Sequence, residues 1–160
     1  MPGKLAQGVT HAIREAGFIP TLYDVSSSDE DYWNLLDGLW RDAQDFAIVE
    51  HDVVVNPGTL QSFEDCPNVW CSAPHPYYGH SAYAGLGCTR FRASIMLAIP
   101  EAIEVIGEQI SGSHPRRHWC PLDSLLQRYL TGRGQSICLH DPVAHLGGEY
   151  PAHGCAPPRP

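Results

Sequence analysis

The chain has 160 residues, enough for one hydrophobic core and too few for two. Hydrophobic residues make up 43% and charged residues 18%, and 10 Lys and Arg face 18 Asp and Glu, a formal charge of -8. That balance excludes a binder of duplex nucleic acid, which needs a basic face to displace counterions, and no apolar run reaches the ~20 residues of a membrane-spanning helix.

Leu5, Val9, Ala12 and Ile13 share one helical face, and Gly17 is a natural stop. No signal-peptide stretch precedes them, so a cytoplasmic, reducing location is expected. Residues 18–25 are apolar and β-branched enough for a strand, and Ser26 to Ser28 offer a turn and a cap. A helix follows from Asp29, with acids in its first turn and Tyr32, Trp33, Leu36, Leu39 and Trp40 as its apolar stripe. The run Phe46-Ala47-Ile48-Val49 reads as a strand buried on both faces in the middle of a parallel sheet. Asn56-Pro57-Gly58 opens a short helix, with Asn as cap and Pro at the first helical position.

Residues 69–72 read as a further strand, and 74–87 as a long loop rich in Gly, Pro and Tyr. Loops of this length in a compact domain are usually functional. Its aromatics either line a pocket for a base or sugar ring or pack on themselves at the surface. Residues 87–91 read as a strand, 92–110 as helix broken at Pro100, and 111–118 as a basic loop. Pro121 begins a helix that runs through Leu130, and residues 135–139 form the last strand. The expected fold is α/β, an open, mostly parallel sheet flanked by helices. One domain spans 1–147, and 148–160 form an irregular Pro- and Gly-rich tail. The chain opens on a helix, so the expectation is a sheet without its usual first strand, a fold truncated at the N-terminus.

Ligands of open α/β sheets bind beyond the carboxyl ends of the strands, where Glu50-His51-Asp52 falls. Alternation along a strand points Glu50 and Asp52 the same way. Two hard oxygen donors suit Mg²⁺ or Mn²⁺; the alternative is a polar strand end facing water, with Asp52 capping a turn. Asp123, in the first turn of its helix, is either a general base aimed into a cleft or ordinary dipole compensation. His140 and His145 follow the last strand and are either ligands at the same sheet edge as Asp52 or structural. Arg90 and Arg92 either neutralise phosphates or serve as surface charges. The cysteines, at 66, 71, 88, 120, 138 and 155, include no Cys-x-x-Cys pair. Cys66 and Cys71 lack a second pair, so most are read as small buried apolar groups.

Taken in order, these motifs resemble GT-A glycosyltransferases, above all small glycosyltransferase-like proteins of bacteria and phages. IVEHDVVVNPGTL looks like their metal-binding strand, here ending in Glu-His-Asp, and GLGCTRF is similar to the Gly-rich strand on the acceptor side. WCPLDSLLQRYLTGRG resembles the helix that carries the catalytic acidic residue, and LHDPVAHLG the late His segment. The resemblance implies transfer of a sugar from a nucleotide-sugar donor to a hydroxyl acceptor, dependent on Mn²⁺ or Mg²⁺. It implies Asp52 as ligand to the metal on the donor diphosphate, Glu50 near the ribose or sugar, and Arg90 on the donor. Asp123 becomes the base and His145, then His140, the late metal ligand. Two rival functions are an inactive nucleotide- or sugar-binding domain of the same fold and a zinc-binding protein.

Overall fold

The computed structural model describes residues 4–28, 30–77, 80–83, 85–109 and 121–145, with backbone alone at 4–6, 75–77, 80–83 and 145. In chain order it holds α1 (Lys4–Glu15), α2 (Asp31–Asp42), β1 (Phe46–Val49), β2 (Val53–Val54), α3 (Pro57–Asp65), β3 (Trp70–Ser72) and β4 (His75–Tyr77). There follow β5 (His80–Tyr83), β6 (Cys88–Phe91), α4 (Ala93–Ala98), α5 (Ala102–Glu108), α6 (Leu122–Gly132), β7 (Cys138–Leu139) and β8 (Ala144–His145).

Local chemistry accounts for the helix limits. Gly17 takes φ 87° just beyond α1, a left-handed conformation that costs glycine nothing. Ahead of α2, Ser28 donates through its backbone N–H and its hydroxyl to the Asp31 carboxylate, at 2.9 and 2.8 Å. The Asn56 side chain accepts the Thr59 N–H at 3.0 Å, with Pro57 in the first turn of α3. α4 and α5 are separate helices on either side of Pro100, as its missing N–H requires.

The central sheet has the order β1-β6-β3-β7. β6 runs antiparallel to both β1 and β3, and β3 pairs parallel with β7. The sheet is therefore mixed, not the mostly parallel one expected: three strands point one way and β6 returns between them. Two-sided burial falls on β6 and β3, whereas β1 is an edge. Short apolar runs do not reveal their neighbours, and β6 conceals its central place behind two polar residues, Thr89 and Arg90, both buried. Residues 18–25 form no strand; Ile19 is 95% and Leu22 58% exposed. An extended segment becomes a strand only where another backbone takes its hydrogen bonds. The expected 74–87 loop contains an antiparallel hairpin, β4 with β5. The basic loop 111–118 and the tail 148–160 lie outside the described residues.

Helices cover both faces of the sheet. On one, Trp33, Leu36 and Trp40 of α2 meet Trp70, Phe91 and the apolar sides of α4, α5 and α6. Trp70 and Phe91, register partners on β3 and β6, stack at 5.9 Å, and Trp40 meets Phe91 edge-on at 5.4 Å. On the other, Leu60 and Phe63 of α3 pack with Val53, Cys71, Cys88 and Val143, and Ala12 and Ile13 of α1 close that layer.

Candidate active site

The carboxyl end of β1 carries the acidic motif. Glu50 extends the β1–β6 ladder by one bond, its N–H donating to the Gly87 carbonyl at 2.8 Å. The chain then turns, and the Val53 N–H bonds back to the Glu50 carbonyl at 3.1 Å. Glu50-His51-Asp52 thus ends in a turn and does not continue the strand, so simple alternation does not set its side chains. The turn leaves His51 exposed and buries Asp52, which is only 3% accessible.

Three carboxyl groups and a phenol converge here. The Tyr32 hydroxyl, from α2, donates to Oε1 of Glu50 at 3.1 Å. Glu50 is pushed up to about 8, first by removal from water and then by the negative charges of Asp123 and Asp52, with the Tyr32 hydrogen bond pulling the other way. Asp123, in the first turn of α6, accepts the Leu86 N–H at 3.1 Å on Oδ2. Burial lifts it to about 6, against the lowering effect of that bond. Tyr32 is raised as well, by burial and then by the charges of Glu50 and Asp123. Asp123 opens on a small pocket that it shares with Trp70, Gly85, Leu86, Thr89, Phe91 and Gln127. Crowded acids whose proton affinities rise together are the arrangement by which enzymes keep a carboxyl group poised near neutrality.

The other expected site residues separate. In the β2–β8 pairing His145 stands opposite Val53, so its backbone lies beside Asp52. His140 sits instead against α3, bonded through Nδ1 to the Ser62 hydroxyl at 2.8 Å and edge-on to Phe63. Arg90, expected on the donor, lies on the other side of the sheet. It is 2% exposed, and its guanidinium bonds the carbonyls of Cys66 and Asn68 and the Sγ of Cys71. Strand alternation explains why: Thr89 and Phe91 face the Asp123 pocket, so Arg90 faces the opposite side of the sheet. Arg92 is held by Asp45 at 3.0 Å and by the carbonyls of Glu64 and Cys66.

The sequence reading missed two features. Tyr32 sits in the apolar stripe of α2, yet a tyrosine one position from that stripe's buried Trp33 is a signal for a hydroxyl at the layer's edge. The second is a group of Cys66, Cys71, Cys138 and His140, whose ligand atoms all lie within 4.8 Å of one another. The missing second pair was Cys138 and His140, hidden by its Cys-x-His spacing.

No known protein-family profile matches the chain, and no curated protein sequence does. Among solved structures, the fold is similar to the crystal structure of a glycosyltransferase involved in the glycosylation of the major capsid of PBCV-1. The TM-score is 0.53 at 12% identity, over 91% of this chain and 90% of that one. At this identity the likeness establishes a glycosyltransferase-like fold.

Proposed function

We propose that this chain is a glycosyltransferase of GT-A type that moves a sugar from a nucleoside-diphosphate donor to a hydroxyl acceptor. The observation that carries the reading is the convergence of Glu50, Asp52 and Asp123 at the carboxyl end of β1, with Glu50 raised to about 8 by its loss of water and its neighbours' charges. The donor set supports a divalent cation: Glu50, Asp52 and Asp123 offer hard oxygens, and the negative charges of Asp123 and Asp52 beside Glu50 are what a cation would offset. Asp52 and Glu50, with His145 as the register partner of Val53, are the residues that would hold Mg²⁺ or Mn²⁺. Bound there, such an ion supplies positive charge against the leaving diphosphate.

The chain's own groups have separate tasks. Asp123, at about 6, is ionised at neutral pH and takes the proton of the acceptor hydroxyl. The Leu86 N–H holds its Oδ2, leaving Oδ1 for the acceptor. Tyr32 fixes one oxygen of Glu50, and the apolar wall of Trp70, Leu86 and Phe91 excludes water from the base.

A panel of nucleoside-diphosphate sugars with and without Mn²⁺, read by thermal shift and then by release of the nucleoside diphosphate, tests this. A donor at about 100 times its Kd adds about 2.7 kcal/mol, and Tm rises roughly 5–10 °C in a chain of this size. Mn²⁺-dependent stabilisation with turnover is the expected result. Stabilisation without turnover, with acceptors supplied, identifies the binding-domain alternative, and no response from any donor removes the reading.

A further inference from the structure

We infer that Cys66, Cys71, Cys138 and His140 form a structural zinc site on the face of the sheet opposite the carboxylate cleft. The inference is independent of the proposed activity. The four ligand atoms lie within 4.8 Å of one another, with Cys66 and Cys71 buried and Cys138 and His140 partly so. A tetrahedral Zn²⁺ with Zn–S of about 2.3 Å draws its sulfurs to about 3.8 Å apart, a small contraction from this arrangement.

The ligands come from elements already fixed by other forces. Cys66 is the residue at which α3 ends, and Cys71 lies in the fully buried β3. Cys138 is the parallel register partner of Cys71, and the His140 N–H bonds the Ser72 carbonyl at 2.9 Å. Cys138 and His140 are two apart along an extended segment, so both face α3.

The imidazole is already in the ligating tautomer. The Ser62 hydroxyl donates to the Thr59 carbonyl at 2.7 Å, so toward His140 its oxygen accepts, and Nδ1 carries the hydrogen. Nε2 is then an unprotonated lone pair; it is buried and has no hydrogen-bond partner within the protein. A histidine oriented by a hydrogen bond on one nitrogen, with its other lone pair buried and open to a metal, is the usual arrangement of a zinc-binding imidazole.

Charge points the same way. Arg90 is buried, and no ion pair among the described residues includes it. A buried guanidinium needs an anion. Its Nη2 lies 3.0 Å from Cys71 Sγ, and the Asn68 amide lies 3.4 Å from Cys66 Sγ. Three thiolates and one Zn²⁺ carry a net charge of -1, which Arg90 cancels. Uncharged thiols leave the cation without a counter-charge. The site joins the end of α3, the centre of the sheet and the edge strand β7, and so anchors the segment that leads to β8.

The test uses the full-length reduced protein, purified without a metal-chelate resin. Elemental analysis should find about one zinc per chain. Metal-free protein titrated with Co²⁺ should give the intense visible bands of a tetrahedral ion with thiolate-to-metal charge transfer, saturating at one equivalent. Cys138→Ser and His140→Gln should lose the zinc or bind Co²⁺ at least tenfold more weakly, whereas Asp52→Asn should keep it. The wild-type cobalt spectrum stands as a test even where a cysteine variant fails to fold. Failure of the reduced wild-type chain to bind zinc or cobalt would overturn the inference. So would a weak octahedral cobalt spectrum, or zinc lost from Asp52→Asn and retained by His140→Gln.

Discussion

The Tyr32 hydroxyl donates to Oε1 of Glu50 at 3.1 Å, linking the start of α2 to the end of β1. Tyr32 is held in its protonated, donating form because burial and the charges of Glu50 and Asp123 raise it well above an ordinary phenol. Glu50 meets two opposed effects. Its neighbours favour the protonated acid and the phenol favours the carboxylate, so this hydrogen bond opposes the protonation that burial and the neighbouring charges promote.

The raised Glu50 makes stability depend on pH. With a folded value of about 8 against an ordinary 4.5, the native state binds the extra proton, so its contribution is fully present below about 4.5 and is lost as pH rises through 8. Metal-free protein should lose stability across that window, by at most about 1.4 kcal/mol per pH unit from this group. Urea unfolding at intervals from pH 5 to 8.5 measures it. Glu50→Gln should flatten the curve; an unchanged slope in that variant would assign the effect elsewhere.

Asp123→Asn should lower the rate of sugar transfer by about 10² to 10⁴ and leave donor affinity within a few fold. A base acts on the acceptor in the transition state, not on the bound donor. In the wild type, turnover should rise as pH climbs through about 6, where Asp123 loses its proton. A variant with normal turnover would reduce Asp123 to a carboxylate that merely anchors the Leu86 N–H.

Asp52→Asn removes one negative charge with little change in shape. The fold should persist, with Tm near the wild-type value in the absence of metal, while the stabilisation by Mn²⁺ with a nucleoside diphosphate disappears. Calorimetric titration with Mn²⁺ in the presence of the nucleotide reads it directly, and a wild-type isotherm would exclude Asp52 as a ligand.

Trp40→Phe tests the packing that supports the cleft. The indole Nε1 donates to the Ile99 carbonyl at 2.9 Å within the core, joining α2 to the end of α4. Phenylalanine keeps most of the apolar volume but leaves that carbonyl only the longer bond from the Ala102 N–H at 3.3 Å, so the loss should be about 0.5–1.5 kcal/mol. Chemical denaturation gives the value; a loss under ~0.5 kcal/mol would mean that the Ala102 N–H satisfies the carbonyl without the indole.

The helices were the legible part of this sequence because their signals are local. Asn56 with Pro57 marks the start of α3, Pro100 divides α4 from α5, and Gly17 ends α1. Strand order was not legible, since nothing within Phe46–Val49 says that its one neighbour will be β6 running the other way. The acidic motif could be found as a polar interruption after an apolar run, and Asp123 as an acid in a first helical turn. Arg90 could not be assigned to a face without the register of β6. The cysteine and histidine group joins positions near 70 to positions near 140, and only the parallel pairing of Cys71 with Cys138 makes them neighbours.

The ladder between β2 and β8 sets an order of events during synthesis. Val53 pairs with His145, which comes after every other described element in the chain. A ribosome releases α1 through α6, and with them most of both core layers, before the partner of β2 has been translated. Until then the backbone of Val53 and Val54, apart from the Val53 N–H that Glu50 holds, has only water or a foreign strand to bond, a liability of any unpaired edge. Closing so long a loop is slow compared with forming the helices. A message cut short before codon 138 would therefore yield a polypeptide that collapses around Trp40 and Phe91 yet shows an open strand beside Asp52, a species suited to capture by chaperones or to sticking to its own copies.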